Sequence, residues 1–474
     1  MSTTTADAIR TINPATGEEI GRYPRFTESQ IDRTLDRAVA AQRDWRRTSF
    51  AERSAPMKRA AAHLRAEKRR IAEIATREMG KTIAEAEAEV EKCATCCEHY
   101  ADHAPSYLAD EDHASSATRS YVAYRPLGVV LAIMPWNFPY WQVFRFAAPA
   151  LMAGNAGVLK HAANVTECAL EIERVLAAAG FPQGLFATIV VGGNDMGRVV
   201  ADPRIAAVTL TGSEGAGSAV AATAGKHLKK TVLELGGSDA FIVLGDADVA
   251  AAAKTAVRAR FQNAGQSCIA AKRFIVEAPV YDAFLAAFAR GTKALLVGDP
   301  MNPESQMGPL ARADLRDDLT RQVRATLEAG GRLVTGGNAR PGAAPFFEPT
   351  IVADVVPGMT LFDEETFGPV AAVVRARDER HAIELANNSR YGLGGNLWTR
   401  DIARAERIAG ELESGAVFIN GITSSDPRLP FGGVKLSGYG RELSSFGIRE
   451  FVNIQTVWIG PSQDAAAQAG PASE

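Results

Sequence analysis

Between residues 156 and 244 the chain alternates strand-sized apolar runs with turns or helical stretches. Runs at 156–160, 186–191, 208–211, 228–235 and 240–244 are rich in apolar residues, and a helical segment at 166–179 is closed by Gly180 and Pro182. Apolar runs that alternate with helices read as strands of a parallel sheet covered on both faces. The pattern returns from about 248 to 420, with strands expected at 274–276, 371–374 and 416–420. The fold class is therefore α/β, with two α/β domains. Ahead of them the first hundred residues read helical, at 30–46, 51–78 and 84–104, with Gly80 as a stop. Strands at 120–124 and 128–134, separated by the turn Arg125-Pro126-Leu127-Gly128, and a late strand at 451–459 fit neither core neatly.

Composition removes several classes of function. At ~150 residues per domain, 474 residues suggest about three units, enough to bury cores without disulfides or structural metals. With 52 Lys and Arg against 55 Asp and Glu, the net charge is −3, so no basic field invites nucleic acid. The longest apolar run, 127–134, is strand-sized and far short of the ~18 residues of a membrane span. The polar first ten residues lack the apolar core of a secretion signal. Five cysteines, three of them crowded at Cys93, Cys96 and Cys97, fit a reducing cytoplasm. The final segment, 461–474, is rich in Ala, Gln, Pro and Ser and reads as a disordered tail. The expectation is a cytoplasmic enzyme with no nucleic-acid or membrane partner.

No Gly-x-Gly-x-x-Gly follows an early strand, so the usual dinucleotide fingerprint is missing. Its nearest substitute is Thr211-Gly212-Ser213-Glu214-Gly215-Ala216-Gly217, after a strand and before a helix. Small residues there let backbone N–H groups and a helix N-terminus approach phosphate, although alone the stretch also reads as a glycine-rich turn. Cys268 stands in Asn263-Ala264-Gly265-Gln266-Ser267-Cys268, a loop of small and polar residues that can expose a thiol. Glu234 ends an apolar strand in Leu233-Glu234-Leu235-Gly236-Gly237. A buried carboxylate needs a partner or a raised pKa, and a raised pKa suits a general base. Asn137, in Pro135-Trp136-Asn137-Phe138-Pro139, sits in a rigid loop that can aim an amide N–H at an oxyanion. Each has a plainer reading when taken singly: an inert loop thiol, a salt-bridged strand end, a turn asparagine.

Together the motifs carry more. Trp136-Asn137-Phe138-Pro139, Leu233-Glu234-Leu235-Gly236-Gly237, Gly265-Gln266-Ser267-Cys268, Glu365-Thr366-Phe367-Gly368-Pro369 and Phe431-Gly432-Gly433-Val434-Lys435 follow the order and spacing of one family. The chain resembles the aldehyde dehydrogenase superfamily from about residue 12 to 459. Leu159-Lys160-His161-Ala162, Gly236-Gly237-Ser238-Asp239 and Cys268-Ile269-Ala270-Ala271-Lys272-Arg273 look like its bacterial succinate-semialdehyde branch.

The resemblance implies two Rossmann-like parallel-sheet domains plus a small β oligomerisation arm. The cofactor-binding domain would span 1–117 and 135–235, the oligomerisation strands 118–134 and 446–460, and the catalytic domain 236–445. It implies NAD(P)-dependent oxidation of succinate semialdehyde to succinate, with another, uncharged aliphatic aldehyde as the alternative. Cys268 would attack the aldehyde, and the Asn137 amide with the Cys268 backbone N–H would bind the oxyanion. After hydride transfer, Glu234 would activate the water that hydrolyses the thioester. Coenzyme A-dependent relatives lack a carboxylate at that place, so Glu234 implies a free acid as product.

For the cofactor, the resemblance puts Gly212 and Ser213 near the phosphates, Lys160 on the adenosine ribose, and Glu365 with Phe367 at the nicotinamide ribose. Trp136, Asn137 and Leu235 would line the same cleft. Members that prefer NAD often carry Glu three residues after the lysine. Here Ala163 stands there, with His161 nearby, which favours NADP and leaves NAD open. Arg145, eight residues after Asn137, aligns with an arginine that grips the substrate carboxylate, and a structural ion pair is its plainer reading. Gln262 replaces the second arginine of the better-studied branch, so Ser425, at a family position, and Arg428, on charge alone, join the candidates. Ala270 replaces a cysteine that in some members forms a disulfide with the nucleophile.

Cys93, Cys96 and Cys97, with His99 and His103, lie in one continuous helical stretch, whereas structural zinc sites gather two separated knuckles, so no metal is expected. The basic stretch 58–70 is interleaved with Ala, Leu and Glu and reads as a solvated helix face. Segments 119–124 and 451–458 match the family's oligomerisation arms, and unpaired strand edges invite pairing between subunits. A homodimer or homotetramer is expected.

Overall fold

The computed structural model describes residues 8–460, so the expected tail at 461–474 lies outside the described residues. The first sheet runs in the order Lys230–Glu234, Ile205–Thr211, Val129–Met134, Ala156–His161, Phe186–Thr188, all parallel. The two-residue strand Gly438–Tyr439 adds antiparallel at the Lys230–Glu234 edge. From Val129–Met134 the chain moves outward to Phe186–Thr188 and then returns to the other side with Ile205–Thr211. Strand order reverses between Val129–Met134 and Ile205–Thr211, and a crevice opens at the carboxyl ends of strands that part in this way. The loops leaving these two ends carry Trp136 and Asn137 on one side, Gly212 and Ser213 on the other.

The second sheet has the order Arg332–Thr335, Thr350–Ala353, Val370–Ala376, Ala271–Glu277, Asp239–Val243, Gly394–Trp398, Ala416–Ile419. All its pairings are parallel except that of the edge strand Arg332–Thr335. Residues 235–238 alone separate the last parallel strand of the first sheet from Asp239–Val243 of the second, so Glu234 sits on the link between the two.

Four helices precede the first sheet: Glu28–Trp45, Phe50–Ala66, Lys68–Met79 and Ile83–Tyr107. Three begin where the sequence supplies reciprocal caps, Thr27 with Gln30, Ser49 with Glu52 and Thr82 with Glu85. Gly80, left-handed at φ 83°, closes the third. Cys93, Cys96 and Cys97 face the core from Ile83–Tyr107, and burial pushes all three thiols up. No helix among the described residues is long and apolar enough to cross a membrane.

The structure redraws the segment read as oligomerisation strands at 118–134. Arg119–Pro126 does pair antiparallel with Val452–Ile459 and with Glu111–Asp112, outside both parallel sheets. Val129–Met134 does not join them. It is hydrogen-bonded on both sides inside the first sheet, as its unbroken, buried apolar run requires. At the other end of that boundary, 446–460 opens in the helix Ser444–Arg449 and becomes strand only at Val452. The block 236–445 also returns Gly438–Tyr439 to the first sheet. Before the helices, Ala8–Ile12 and Glu19–Pro24 form a hairpin whose second strand is mostly solvent-facing, so no apolar alternation marked it. Strands Arg332–Thr335, Thr350–Ala353 and Gly394–Trp398 were not anticipated either.

Candidate active site

Cys268 follows a strained turn. After the helix Val249–Phe261 the backbone takes three successive left-handed residues, Asn263, Ala264 and Gly265 (φ 55°, 52° and 71°). Such conformations persist only where surroundings hold them, and here buried polar groups do. The Asn263 side-chain amide donates to Asn137 O (2.9 Å) and Gln266 O (3.0 Å). Arg260, fully buried, donates to the carbonyls of Gly265, Ala271, Thr366 and Gly368. It thereby ties the nucleophile loop to the loop that carries Glu365 and Phe367. Lys272 donates to Ser267 O (3.0 Å) and Cys268 O (2.8 Å). Burial pushes the Cys268 thiol up to about 12, against the pull of Arg145 and Lys272.

Asn137 reaches the same loop. Its Nδ2 donates to Gln266 O at 3.1 Å, and Gln142 Nε2 donates to its Oδ1 at 3.1 Å. The amide is thus fixed and oriented, and its second N–H stays available as a donor. Glu234 closes its strand fully buried, and neither carboxyl oxygen has a hydrogen-bond partner among the described residues. Burial raises its pKa well above the carboxylate range, and the neighbouring Glu442 raises it further while Arg145 lowers it. A side chain at Gly432 would place its Cβ 2.8 Å from Glu234 Oε1, so glycine there leaves the carboxyl its room. A thiol, an oriented amide and an unpartnered carboxyl in one cleft can perform acyl chemistry through a covalent thioester.

On the crevice side, Ser213 caps the helix Glu214–Lys226, its Oγ accepting from Ala216 N at 3.4 Å. A Cβ at Gly215 would meet open space. Lys160, half-buried near the end of Ala156–His161, has no carboxylate partner among the described residues, and burial lowers its pKa. Ala163 opens the short turn Ala163–Val165 and brings no charge. Trp136 and Phe367 meet edge to face at 5.7 Å. Glu365 Oε1 accepts from Gly237 N at 3.0 Å and lies 3.5 Å from Lys272 Nζ, and Leu235 follows Glu234 in the link between the sheets. An unpaired cation, a capped helix N-terminus and two ring edges fit an anionic dinucleotide. One neighbour drops out: His161 donates Nε2–H to Pro139 O (2.8 Å) while its Nδ1 accepts from Ala162 N (2.9 Å), and burial pushes its pKa down to about 4. It stays neutral and offers a phosphate no charge.

A model of the aldehyde dehydrogenase family matches residues 1–457. The chain belongs to the aldehyde dehydrogenase family. It is 51% identical over 466 residues to the succinate-semialdehyde dehydrogenase [NADP(+)] of Mycolicibacterium paratuberculosis, covering 98% of this chain and 99% of that one. The Mycobacterium tuberculosis succinate-semialdehyde dehydrogenase [NADP(+)] 1 is 51% identical over 454 residues, 95% and 99% of the two chains. Among solved structures, succinic semialdehyde dehydrogenase from Streptococcus pyogenes in complex with NADP+ superposes with a TM-score of 0.94 at 39% identity, over 96% and 100% of the two chains.

In this aldehyde dehydrogenase a cavity of about 650 Å³ lies beside Cys268, lined also by Arg145, Trp141, Ser425 and Phe431. Arg145, on the helix Trp141–Met152, is buried and already engaged. It ion-pairs with Glu442, donates Nη2–H to Thr211 Oγ1 (3.3 Å) and lies 4.7 Å from the Phe431 ring. Arg428 is exposed and paired with Asp426 at 2.6 Å, so charge alone misplaced it. Gln262 and Ser425 both line the cavity. Two residues escaped the sequence reading: Glu442, signalled only by its place after Gly440 and Arg441 in a glycine-rich loop, and Lys92. Lys92 lines the cavity from the helix Ile83–Tyr107 and donates to Ser425 Oγ at 2.8 Å. Among the described residues no group of three His, Cys, Asp or Glu could hold a metal ion.

Proposed function

We propose that this aldehyde dehydrogenase oxidises succinate semialdehyde to succinate with NADP as oxidant. The observation that carries the substrate is the charge of the cavity beside Cys268. Lys92 lines its interior beside Arg145, which is already ion-paired with Glu442, and the exposed Lys254 and Arg258 line its mouth. Its two acids are otherwise engaged: Glu89 ion-pairs with Lys81, and Glu85 accepts from Asn263 N at 2.7 Å. Such a cavity draws in an anionic aldehyde. The relatives named for succinate semialdehyde and NADP, matched over nearly the whole chain, support the same choice.

The chemistry belongs to this chain's residues. Cys268 Sγ bonds to the aldehyde carbon while the thiol proton passes to the Glu234 carboxylate. The carbonyl oxygen becomes an oxyanion that the Asn137 amide and the Cys268 backbone N–H hold; losing one such donor costs ~10²–10³ in rate. Lys160, Ser213, Gly212, Glu365 and Phe367, with Trp136, Asn137 and Leu235 along the cleft, would hold NADP. NADP would supply the hydride acceptor for the carbon that Cys268 carries, which thereby becomes the acyl carbon of a thioester. With Glu234 again a carboxylate after passing the thiol proton to solvent, water adds to the acyl carbon and gives a proton to Glu234, which returns it to the sulfur as the C–S bond breaks, releasing succinate and restoring the Cys268 thiol. Raising the pKa of Glu234 matches it to this base role, and puts the acid limb of kcat above the ordinary carboxylate range.

The outer edge of Val452–Ile459 is unpaired among the described residues and exposes Ile454, Trp458 and Ile459, which supports assembly into a homodimer or homotetramer. Five free cysteines support a reducing, cytoplasmic setting. The test of the function is kcat/KM with NADP+ for succinate semialdehyde against butanal. A preference above ~50-fold, worth more than ~2 kcal/mol, is expected; a ratio near one would remove the substrate and leave the family chemistry.

A further inference from the structure

Lys92 has a donor position but no counter-ion. Its Nζ lies 4.2 Å from the centre of the Trp141 ring and donates to Ser425 Oγ. No carboxylate comes within ion-pairing distance of it among the described residues, because every acid nearby is taken. On its own helix, Glu89 accepts from the backbone N–H groups of Tyr140 (2.8 Å) and Trp141 (2.9 Å) and ion-pairs with Lys81. In the loop beyond, Asp426 pairs with Arg428, and behind the cavity Glu442 pairs with Arg145. An ammonium removed from water without a partner is costly, so a cation kept here is balanced when an anion enters.

Ser425 completes the arrangement. Its Oγ accepts from both Lys92 Nζ (2.8 Å) and Trp141 Nε1 (3.0 Å), which directs its own hydrogen away from them as a free donor. An ammonium and a hydroxyl hydrogen side by side suit a carboxylate, one donor to each oxygen. Arg145 faces the same cavity but its guanidinium is held in the ion pair with Glu442. We propose that Lys92, with the Ser425 hydroxyl, reads the substrate carboxylate and sets the specificity of this enzyme, in place of Arg145. The proposal rests on the reading of the substrate as succinate semialdehyde.

The experiment compares kcat/KM for succinate semialdehyde and butanal, with saturating NADP+, in the wild type, Lys92→Met, Lys92→Arg and Arg428→Ala. Methionine keeps the apolar stem and removes the charge. The succinate semialdehyde to butanal ratio is expected to fall about 30- to 100-fold in Lys92→Met, carried by KM for the anionic substrate, as for loss of a charge-assisted contact. Lys92→Arg is expected to recover at least a third of the logarithmic loss, and Arg428→Ala to keep the wild-type ratio. If Lys92→Met lowers both substrates alike, or keeps the wild-type ratio, Lys92 does not read the carboxylate and the proposal is overturned. A wild type without preference overturns the substrate instead, and a Lys92→Arg enzyme that turns over butanal while matching Lys92→Met in ratio overturns the role of the charge.

Discussion

Replacing Arg145 by methionine is expected to damage this enzyme toward every aldehyde alike, because the guanidinium serves the interior and not the substrate. The Arg145 side chain is 2% exposed and that of Glu442 4%. Burial pushes the Glu442 carboxyl up against the pull of Arg145, so removing the arginine leaves an acid that ionises only at a cost. Losing one partner of a buried pair destabilises by ~3–5 kcal/mol. Urea unfolding followed by tryptophan fluorescence should show a loss of this order in Arg145→Met, and Arg145→Met with Glu442→Gln should recover most of it. Arg145 also lowers the pKa of Glu234. Without that positive charge the Glu234 carboxylate is harder to form, so the acid limb of kcat should move to higher pH with succinate semialdehyde and butanal equally. An Arg145→Met enzyme with wild-type stability, an unmoved acid limb and a selective loss of succinate semialdehyde would refute this reasoning and make Arg145 the carboxylate reader.

Four further outcomes follow from the site. Burial and the neighbouring Arg145 push the Lys92 ammonium down to about 8; the charged form binds the carboxylate, so KM for succinate semialdehyde should be flat below that pH and rise above it, while KM for butanal does not follow. A KM flat to pH 10 would refute it. Cys268→Ala should abolish oxidation while NADPH binding, read by fluorescence, stays within about threefold. In the wild type without cofactor, a thiol held near pKa 12 should react with iodoacetamide about tenfold faster per pH unit between 7 and 9, and a plateau in that range would contradict it. Ala163→Glu should lower the NADP-to-NAD ratio of kcat/KM at least tenfold, since like charges a few ångströms apart cost on the order of 1–4 kcal/mol; an unchanged ratio would remove Ala163 from the cofactor site.

How legible a residue was in the sequence depended on where its structural reason lies. Glu234 and Asn137 follow apolar strands buried in the first sheet. A polar residue at the end of such a run is conspicuous, because the strand fixes its position and the polarity has no packing role. Cys268 was conspicuous for the opposite reason, as a thiol among small polar residues. Val129–Met134 was separated from its sheet because it follows Arg119–Pro126 after a tight turn, and two adjacent strands read as one hairpin. They belong to different sheets, and the difference in apolar pattern was the usable signal: unbroken in one, mixed in the other. Arg145 could be aligned but not assigned, because Glu442 lies almost three hundred positions away and nothing local announces the pair. Lys92 was invisible for a related reason. Among the glutamates and alanines of its helix, a lysine reads as solvated until Trp141 and Ser425 arrive from other elements to enclose it.

The pairing of interior charges narrows the substrate further than the count of basic residues does. Lys81 neutralises Glu89, Arg145 neutralises Glu442, and Glu85 is held by Asn263 N–H and the Thr82 hydroxyl with its pKa raised by burial. Once these are set aside, one interior cation, Lys92, remains on the cavity wall. The remaining positive groups, Lys254 and Arg258, are exposed at the mouth, where water screens them and they steer more than they bind. A site with one half-buried cation that has no counter-ion is electrically complete with one carboxylate. A semialdehyde bearing a second carboxylate would have to bury an unpaired charge to bring its carbonyl to Cys268, and an uncharged aldehyde would leave Lys92 uncompensated. The monoanionic chain is therefore the one whose carbonyl can reach the thiol without stranding a charge at the other end, and adding a second carboxylate to the substrate should cost more in kcat/KM than adding a methylene.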